Sequence, residues 1–310
     1  MKPSDPDSPV TRAEAMTVPA VVRARSILLS VLARYPLVAW RGDTRLATQP
    51  AWLSRTDTEQ SPQLRMTASV DQLLFHGECL WFVQRGTGGS ILDAVCLPRN
   101  MWRINDGVIE LRTRDQWTPA NRDQVLHFIG FQDGILTAAA ATIRAARNIQ
   151  TGVAARARSP IPLINLNVTE DSELTDEELR DLRSKWVQAR LDPDGAVAVS
   201  PVGIDPEVMG SGGDSQFLEG ARNAARLDVA NLASVPATLL DGATNTASLT
   251  YSTAEGKRAE FIDYGLNMWR TVFESRLSMD DVTPRGTRIE LDLTDLTAVP
   301  QPGTGPVRED

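Results

Sequence analysis

Few residue types in this chain could do chemistry. Its imidazoles are His76 and His127 and its thiols are Cys79 and Cys96. His76-Gly77-Glu78-Cys79 has the His-x-Glu spacing with which a zinc deaminase pairs a metal ligand with a proton-transferring acid. No Pro-Cys-x-x-Cys follows, and Cys96 before Pro98 is no substitute. The structural reading is that a helix ends there and enters a buried strand. A phosphate-cradling loop needs Gly, four residues, then Gly-Lys-Ser or Gly-Lys-Thr. Gly256-Lys257 is followed by Arg258 and lacks the upstream glycine. Without a Gly-x-Ser-x-Gly elbow, and with so few histidines, a Ser-His-acid triad has few ways to form. The acids of Glu170–Glu178 invite a metal reading, yet carboxylates at a helix start ordinarily partner free backbone N–H groups. Trp81, Trp102, Trp117, Trp186 and Trp269 could stack on bases, but on apolar patterns they read as core anchors. The expectation is a chain with no catalytic residue, no metal and no cofactor.

The elements that hold these residues belong to a chain of 310 residues, 42% apolar and 23% charged, enough for a sizeable core and two or more domains. Asp plus Glu outnumber Lys plus Arg by 40 to 32, a net charge of -8. That balance argues against coating nucleic acid through bulk positive charge. Two cysteines cannot supply a four-ligand zinc site or staple a small secreted scaffold, so a reduced chain is expected. The longest apolar candidate, Val18 to Trp40, is interrupted by Arg23, Arg25 and Arg34, and Met1 to Pro9 lacks the pattern of a secretory signal. No membrane role is expected.

Residues 1–15 and 297–310, rich in Pro, Gly and acids, read as disordered tails. Val18, Val21, Val22, Ile27, Leu28, Val31 and Leu32 predict a first amphipathic helix within Ala13 to Ala39, stopped by Pro36. Residues 40–132 read as mostly β, with a helix around 64–76. A hairpin is expected across the Gly-rich loop Arg85 to Ser90, and a strand pair turned by Asn105-Asp106-Gly107. The Ala-rich run Leu136 to Ala157 predicts a long helix ended by Pro160 and Pro162. A strand at 161–168, a helix at 176–189 opened by the capping box of Thr175 and Glu178, and a strand at 196–201 form a β-α-β insert. A second long helix follows Gly212-Gly213 and stops at Pro236. A polar loop leads to a second capping box at Ser252 and Glu255, a helix to about Ser278, and a last strand at Ile289 to Leu293.

Three segments carry a family resemblance. Ala20 to Leu28 followed by Tyr35-Pro36-Leu37, then His76 to Val83, then Ala230 to Gly242 with its Val-Pro-Ala-Thr-Leu-Leu-Asp-Gly, stand in the order found in the portal proteins of long-tailed bacteriophages. The likeness spans roughly residues 16–296, with the Ala-rich helix and the insert in between. It departs where the family's second proline after Val-Pro is Ala237, and a large C-terminal helical crown would be nearly absent.

The resemblance implies an α+β portal fold with a wing, a two-helix stem, a β-α-β clip insert, a tunnel loop with a long helix, and a reduced crown. The wing would take 16–132, the first stem helix 133–158, the clip 159–212 and the second stem helix 213–235. The tunnel-loop region would take 236–251, and the long helix with a closing wing strand 252–296. It implies a non-enzymatic subunit of a homo-oligomeric ring, of about twelve copies, at one capsid vertex of the virion. Its partners would be the terminase large subunit, a head-completion adaptor, the major capsid protein or scaffold, and double-stranded DNA passing non-specifically. It would be assembled in the host cytoplasm, and would serve head assembly, packaging and DNA ejection. Thr244, Asn245, Thr246 and Ser248 would line the tunnel, where the stretch Thr244 to Ser248 offers DNA no lysine or arginine. Arg144, Arg147 and Arg156 would face the channel or a neighbouring subunit, and Glu177 and Trp186 would serve docking at the clip. The rival readings are a bacterial α/β enzyme of unknown activity and another head-tail adaptor protein.

Overall fold

The structure, a computed structural model, describes residues 8–158, 163–168, 175–191, 204–209, 213–240 and 259–294. The chain divides into two compact units, Met1–Ala145 with Ala225–Asp310, and Ala146–Ala224.

The first unit begins with α1 (Arg12–Ala15) and α2 (Pro19–Leu32). Thr11 Oγ1 accepts from the Glu14 N–H at 3.2 Å, and Glu14 Oε2 accepts from the Thr11 N–H at 2.9 Å, a reciprocal cap. The disordered tail expected through residue 15 therefore does not include residues 11–15. Val10 is buried, and its N–H bonds the Leu136 carbonyl at 2.9 Å. The first helix expected within 13–39 is two pieces, because Pro19 lacks an N–H and sits best at a helix start. Val21, Ala24, Leu28 and Leu32 make its buried stripe.

After Pro36 the chain turns into β1 (Leu37–Arg41), which pairs antiparallel with β2 (Thr44–Arg45) across Gly42 and, on its other side, with β11 (Thr287–Leu291). Leu37 lies opposite Leu291 and Arg41 opposite Thr287, so the last described strand closes on the first.

Then come α3 (Ala51–Ser54) and α4 (Pro62–His76). The latter is capped by the Ser61 hydroxyl and ended by Gly77 at φ 78, a left-handed conformation that favours glycine. Glu78 immediately opens β3 (Glu78–Arg85), so the helix-into-strand reading of His76 to Cys79 holds.

The expected hairpin pairs β3 with β4 (Ile91–Cys96). The turn at Asp106 (φ 48) and Gly107 (φ 77) joins β5 (Trp102–Asn105) to β6 (Val108–Thr113), and β7 (Gln116–Pro119) completes that meander. β8 (Val125–Ile129) returns to the other edge of β3, giving the order β4-β3-β8. Leu80, Trp81 and Val83 on this central strand are fully buried. Trp81 meets Phe128 at 4.7 Å, and Phe128 meets Phe273 at 5.5 Å between ring centroids. Burial of each such side chain contributes about 1.5–3 kcal/mol, and the aromatic contacts somewhat more.

The long Ala-rich helix is present but interrupted. Ala139 (φ -113, ψ 19) separates α5 (Ile135–Ala138) from α6 (Ala140–Arg158), which at 1.5 Å per residue runs about 28 Å. α8 (Gly213–Ala233) ends before Ser234, whose φ of 52 turns the chain toward Pro236 and α9 (Ala237–Leu240). Residues 259–277 are helical, with a π-helical stretch over Phe261–Leu266 before α10 (Asn267–Leu277).

The second unit takes the end of α6 and the start of α8. A side chain at Gly152 would meet Leu218 at 3.6 Å, so the two helices run side by side there. Between them, β9 (Leu163–Val168) pairs antiparallel with β10 (Ile204–Met209), with α7 (Asp176–Leu191) in the connection. The strand expected at 196–201 lies outside the described residues, and β9's partner is at 204–209. The antiparallel pairing rules out the parallel crossover of a βαβ unit. Thr175 and Glu178 form the expected capping box, Glu178 Oε2 accepting from both the N–H and the hydroxyl of Thr175 at 2.8 Å.

Candidate functional site

The densest polar cluster surrounds Glu78, where α4 passes into β3. One carboxylate oxygen lies 2.9 Å from His127 Nε2 on β8, and the other accepts from Arg99 Nη2 at 3.0 Å. Arg99 also donates to the Trp102 carbonyl at 2.9 Å, and its guanidinium sits 4.1 Å from the Trp102 ring centre. The bond from His127 holds the Glu78 carboxyl below its usual range, Arg99 adds to this, and partial burial opposes both. His76 is pushed down, chiefly by lost hydration and then by Arg99. Gln72 links the cluster to the residue after β4, accepting from Trp102 Nε1 at 3.4 Å and donating to the Leu97 carbonyl at 2.7 Å. His127, Glu78 and Arg99 thus form one brace between the central sheet and the meander. Among the described residues no group of three or more His, Cys, Asp or Glu could hold a metal. No helix among them is long and apolar enough to cross a membrane.

A second brace was invisible in the sequence. Arg65 is fully buried, with its guanidinium between the rings of Trp52 and Trp81. It donates to the Ala94 carbonyl at 2.7 Å and the Trp52 carbonyl at 2.8 Å. Burial lowers it to about 10. An arginine on the apolar face of α4 carries no local signal of such a role, since its acceptors come from distant segments.

The residues singled out in the sequence fall in several places. Trp81, Trp102 and Trp269 are core anchors, Trp269 Nε1 donating to the Ala233 carbonyl at 3.1 Å. Trp117 is half-buried under Arg103, 4.5 Å from its ring centre. Glu178 is the helix cap already described. Arg144, expected toward a channel or neighbour, donates to Ser8, to its carbonyl and, at 2.9 Å, to its hydroxyl. That bond ties α6 to the segment before α1. Arg147 is half-buried one turn on and Glu177 is exposed on α7. The side chains of Arg156 and Trp186 lie outside what is described, as do Thr244, Asn245, Thr246 and Ser248.

The flanks of residues 241–258 are joined. Gly265 packs so tightly on Ser234 that a Cβ there would come within 2.4 Å of the Ser234 carbonyl oxygen. Gln132 Nε2 donates to the Leu232 carbonyl at 2.9 Å.

Among the described residues the polar clusters of this α+β chain brace strands and helix ends. The family model described as phage portal protein matches residues 19–300, and the chain belongs to that family. Among solved structures it is similar to an HK97-family phage portal protein from Corynebacterium diphtheriae. Identity is 30%, the TM-score is 0.73, and 95% of this chain and 99% of that chain are covered. The neck of an empty GTA particle, computed with C6 symmetry, shares the fold at 17% identity and a TM-score of 0.65, covering 94% and 85%. The neck of a native GTA particle, computed with C12 symmetry, does so at 16% and 0.62, covering 93% and 86%. Comparison with curated proteins finds no match.

Proposed function

We propose that this chain is one subunit of a ring at a capsid vertex, through which double-stranded DNA enters and leaves a phage head. The observation that carries this reading is the family match over residues 19–300, together with likeness to a portal protein along nearly the whole of both chains. The symmetric necks that share the fold support a closed ring of copies of this chain, about twelve in number. The role is mechanical, and the energy for packaging comes from a partner ATPase.

In this reading residues 16–132 and 252–296 build the wing and its long helix. Residues 133–158 and 213–235 are the stem, 159–212 the clip and 236–251 the tunnel-loop region. The clip, with Glu177 and Trp186, docks the terminase large subunit during packaging and a head-completion adaptor afterwards, while the wing meets capsid protein or scaffold. Thr244, Asn245, Thr246 and Ser248 face the passing duplex. With no lysine or arginine among Thr244 to Ser248 and a net charge of -8 on each copy, DNA slides past without being held.

Mass measurement in solution with negative-stain imaging tests the ring. Annular particles with a pore wide enough for a duplex are expected, and material that stays monomeric and never yields annuli from lysate overturns the reading. Deleting residues 165–205 tests the clip. The remainder should stay folded and lose terminase and adaptor binding, whereas global unfolding, or retained binding, refutes that assignment.

A further inference from the structure

A cleft of 470 Å³ opens in the first unit between the end of β1, the β3–β4 loop and the segment 280–284. Its size is that of ligand-binding clefts, about 300–1,000 Å³. Its lining includes buried Trp52, Ile91 and Thr287, and its open side exposes Arg41, Gly88, Gly89 and Ser90. Arg41 and Thr287 are directly opposite in the β1–β11 ladder, so their side chains share a face. Thr287 is only 6% exposed and its hydroxyl is buried without a hydrogen-bond partner, an unmet polar group in the lining.

Both carboxylates of the cleft are engaged by arginines, and Arg41 is left over. Asp281 is engaged by both terminal nitrogens of Arg276, at 2.9 and 2.8 Å, and Asp280 by Arg285 at 2.8 Å. Arg85 donates to carbonyl oxygens, of Asp123 at 2.5 Å and Gly89 at 2.8 Å, and its charge helps hold the Asp281 carboxyl down. The Arg41 side chain makes no hydrogen bond or ion pair among the described residues. Arg41 therefore borders the cleft without an ion pair, while Asp281 is held by Arg276 with Arg85 nearby and Asp280 by Arg285.

We propose that this cleft docks a short acidic segment of a partner protein, with a carboxylate received by Arg41 beside Arg85. Guanidinium forks match carboxylates bidentately, and a preformed cleft lowers the ordering cost of a short segment. Asp280 and Asp281 beside them disfavour a long continuous polyanion, so a short acidic segment fits where a DNA backbone does not.

The test uses the full chain and a fluorescein-labelled Gly-Glu-Glu-Asp-Gly amide, read by anisotropy. Saturable binding that weakens at least tenfold in Arg41→Ala, and not in the distant Arg103→Ala, is expected. Because Arg41 is exposed and unpaired, Arg41→Ala should melt as the wild type does, and Arg41→Lys should bind between the two. Absence of saturable binding, equal binding by Arg41→Ala, or displacement of the peptide by an equimolar 20-base-pair duplex (roughly two turns) overturns the proposal. Negative-stain scoring of Arg41→Ala keeps the outcomes separate, since rings can persist while peptide binding is lost.

Discussion

Glu78 and His127 meet diagonally across two strands. Glu78 is paired with Ile129 and His127 with Leu80, yet the carboxylate and the imidazole come to 2.9 Å because both side chains stand on one face of the sheet. The second carboxylate oxygen holds Arg99, so this one residue fastens the central sheet to the turn that enters the β5–β7 meander.

The pH dependence of stability follows from that carboxyl. Its folded value is depressed, first by His127, so the unfolded chain binds protons more readily. The stabilisation is therefore complete above the unfolded value of 4.5 and drains away as pH falls through the lower folded value. Glu78→Gln should cost about 1–3 kcal/mol at pH 7 by loss of charge-assisted bonds. Urea melts at stepped pH should show the variant and the wild type converging in acid. A constant gap between them would contradict the linkage.

Gly134 tests close backbone approach. A Cβ there would lie 2.3 Å from the carbonyl carbon of His76 and from the Phe75 carbonyl oxygen, so the end of α4 would have to move. Gly134→Ala should lower stability by about 3 kcal/mol or more. Gly42 has φ 56 but open space around it, and Gly42→Ala should cost only about 1–2 kcal/mol. Thermal melts of the pair would show whether contact or conformation dominates.

For Arg65, the substitutions should rank against intuition. Lysine keeps a cation but cannot span both the Ala94 and Trp52 carbonyls, so it leaves a buried charge poorly paired. Methionine leaves two carbonyls unmet but removes the charge. We expect Arg65→Lys to cost about 3–5 kcal/mol and Arg65→Met less. Chemical denaturation decides it, and a milder effect of lysine would refute the argument.

The cap of α7 gives a local test. Thr175→Ala removes the hydroxyl from a pair of contacts to Glu178 and should destabilise the helix by about 1 kcal/mol. Hydrogen exchange should quicken across 176–190 and stay unchanged through β3 and α4. Quickening in the first unit would mean that the two units unfold together.

Much of the local structure was legible from neighbouring residues. Thr175 and Glu178 announce their helix, Asp106-Gly107 its hairpin turn and Gly77 the end of α4, because each signal and its consequence lie within four residues. The misses are where a distant segment decides. Pro19 splits the first helix, but only the bond from Val10 to Leu136 reveals why the segment before it is ordered. Arg65 gives no local sign of its burial either, since its acceptors are backbone carbonyls of other segments.

Taken alone, then, the sequence determined the helices, the hairpins and the order of parts that marks a portal chain, since hydrophobic period and turn chemistry act over short spans. Only the tertiary structure decided that β1 closes on β11, that one carboxylate serves a histidine and an arginine, and that Arg41 borders a cleft uncompensated. Those outcomes depend on which strands become neighbours, and strand pairing joins residues far apart in the chain through a register that no short window of residues encodes.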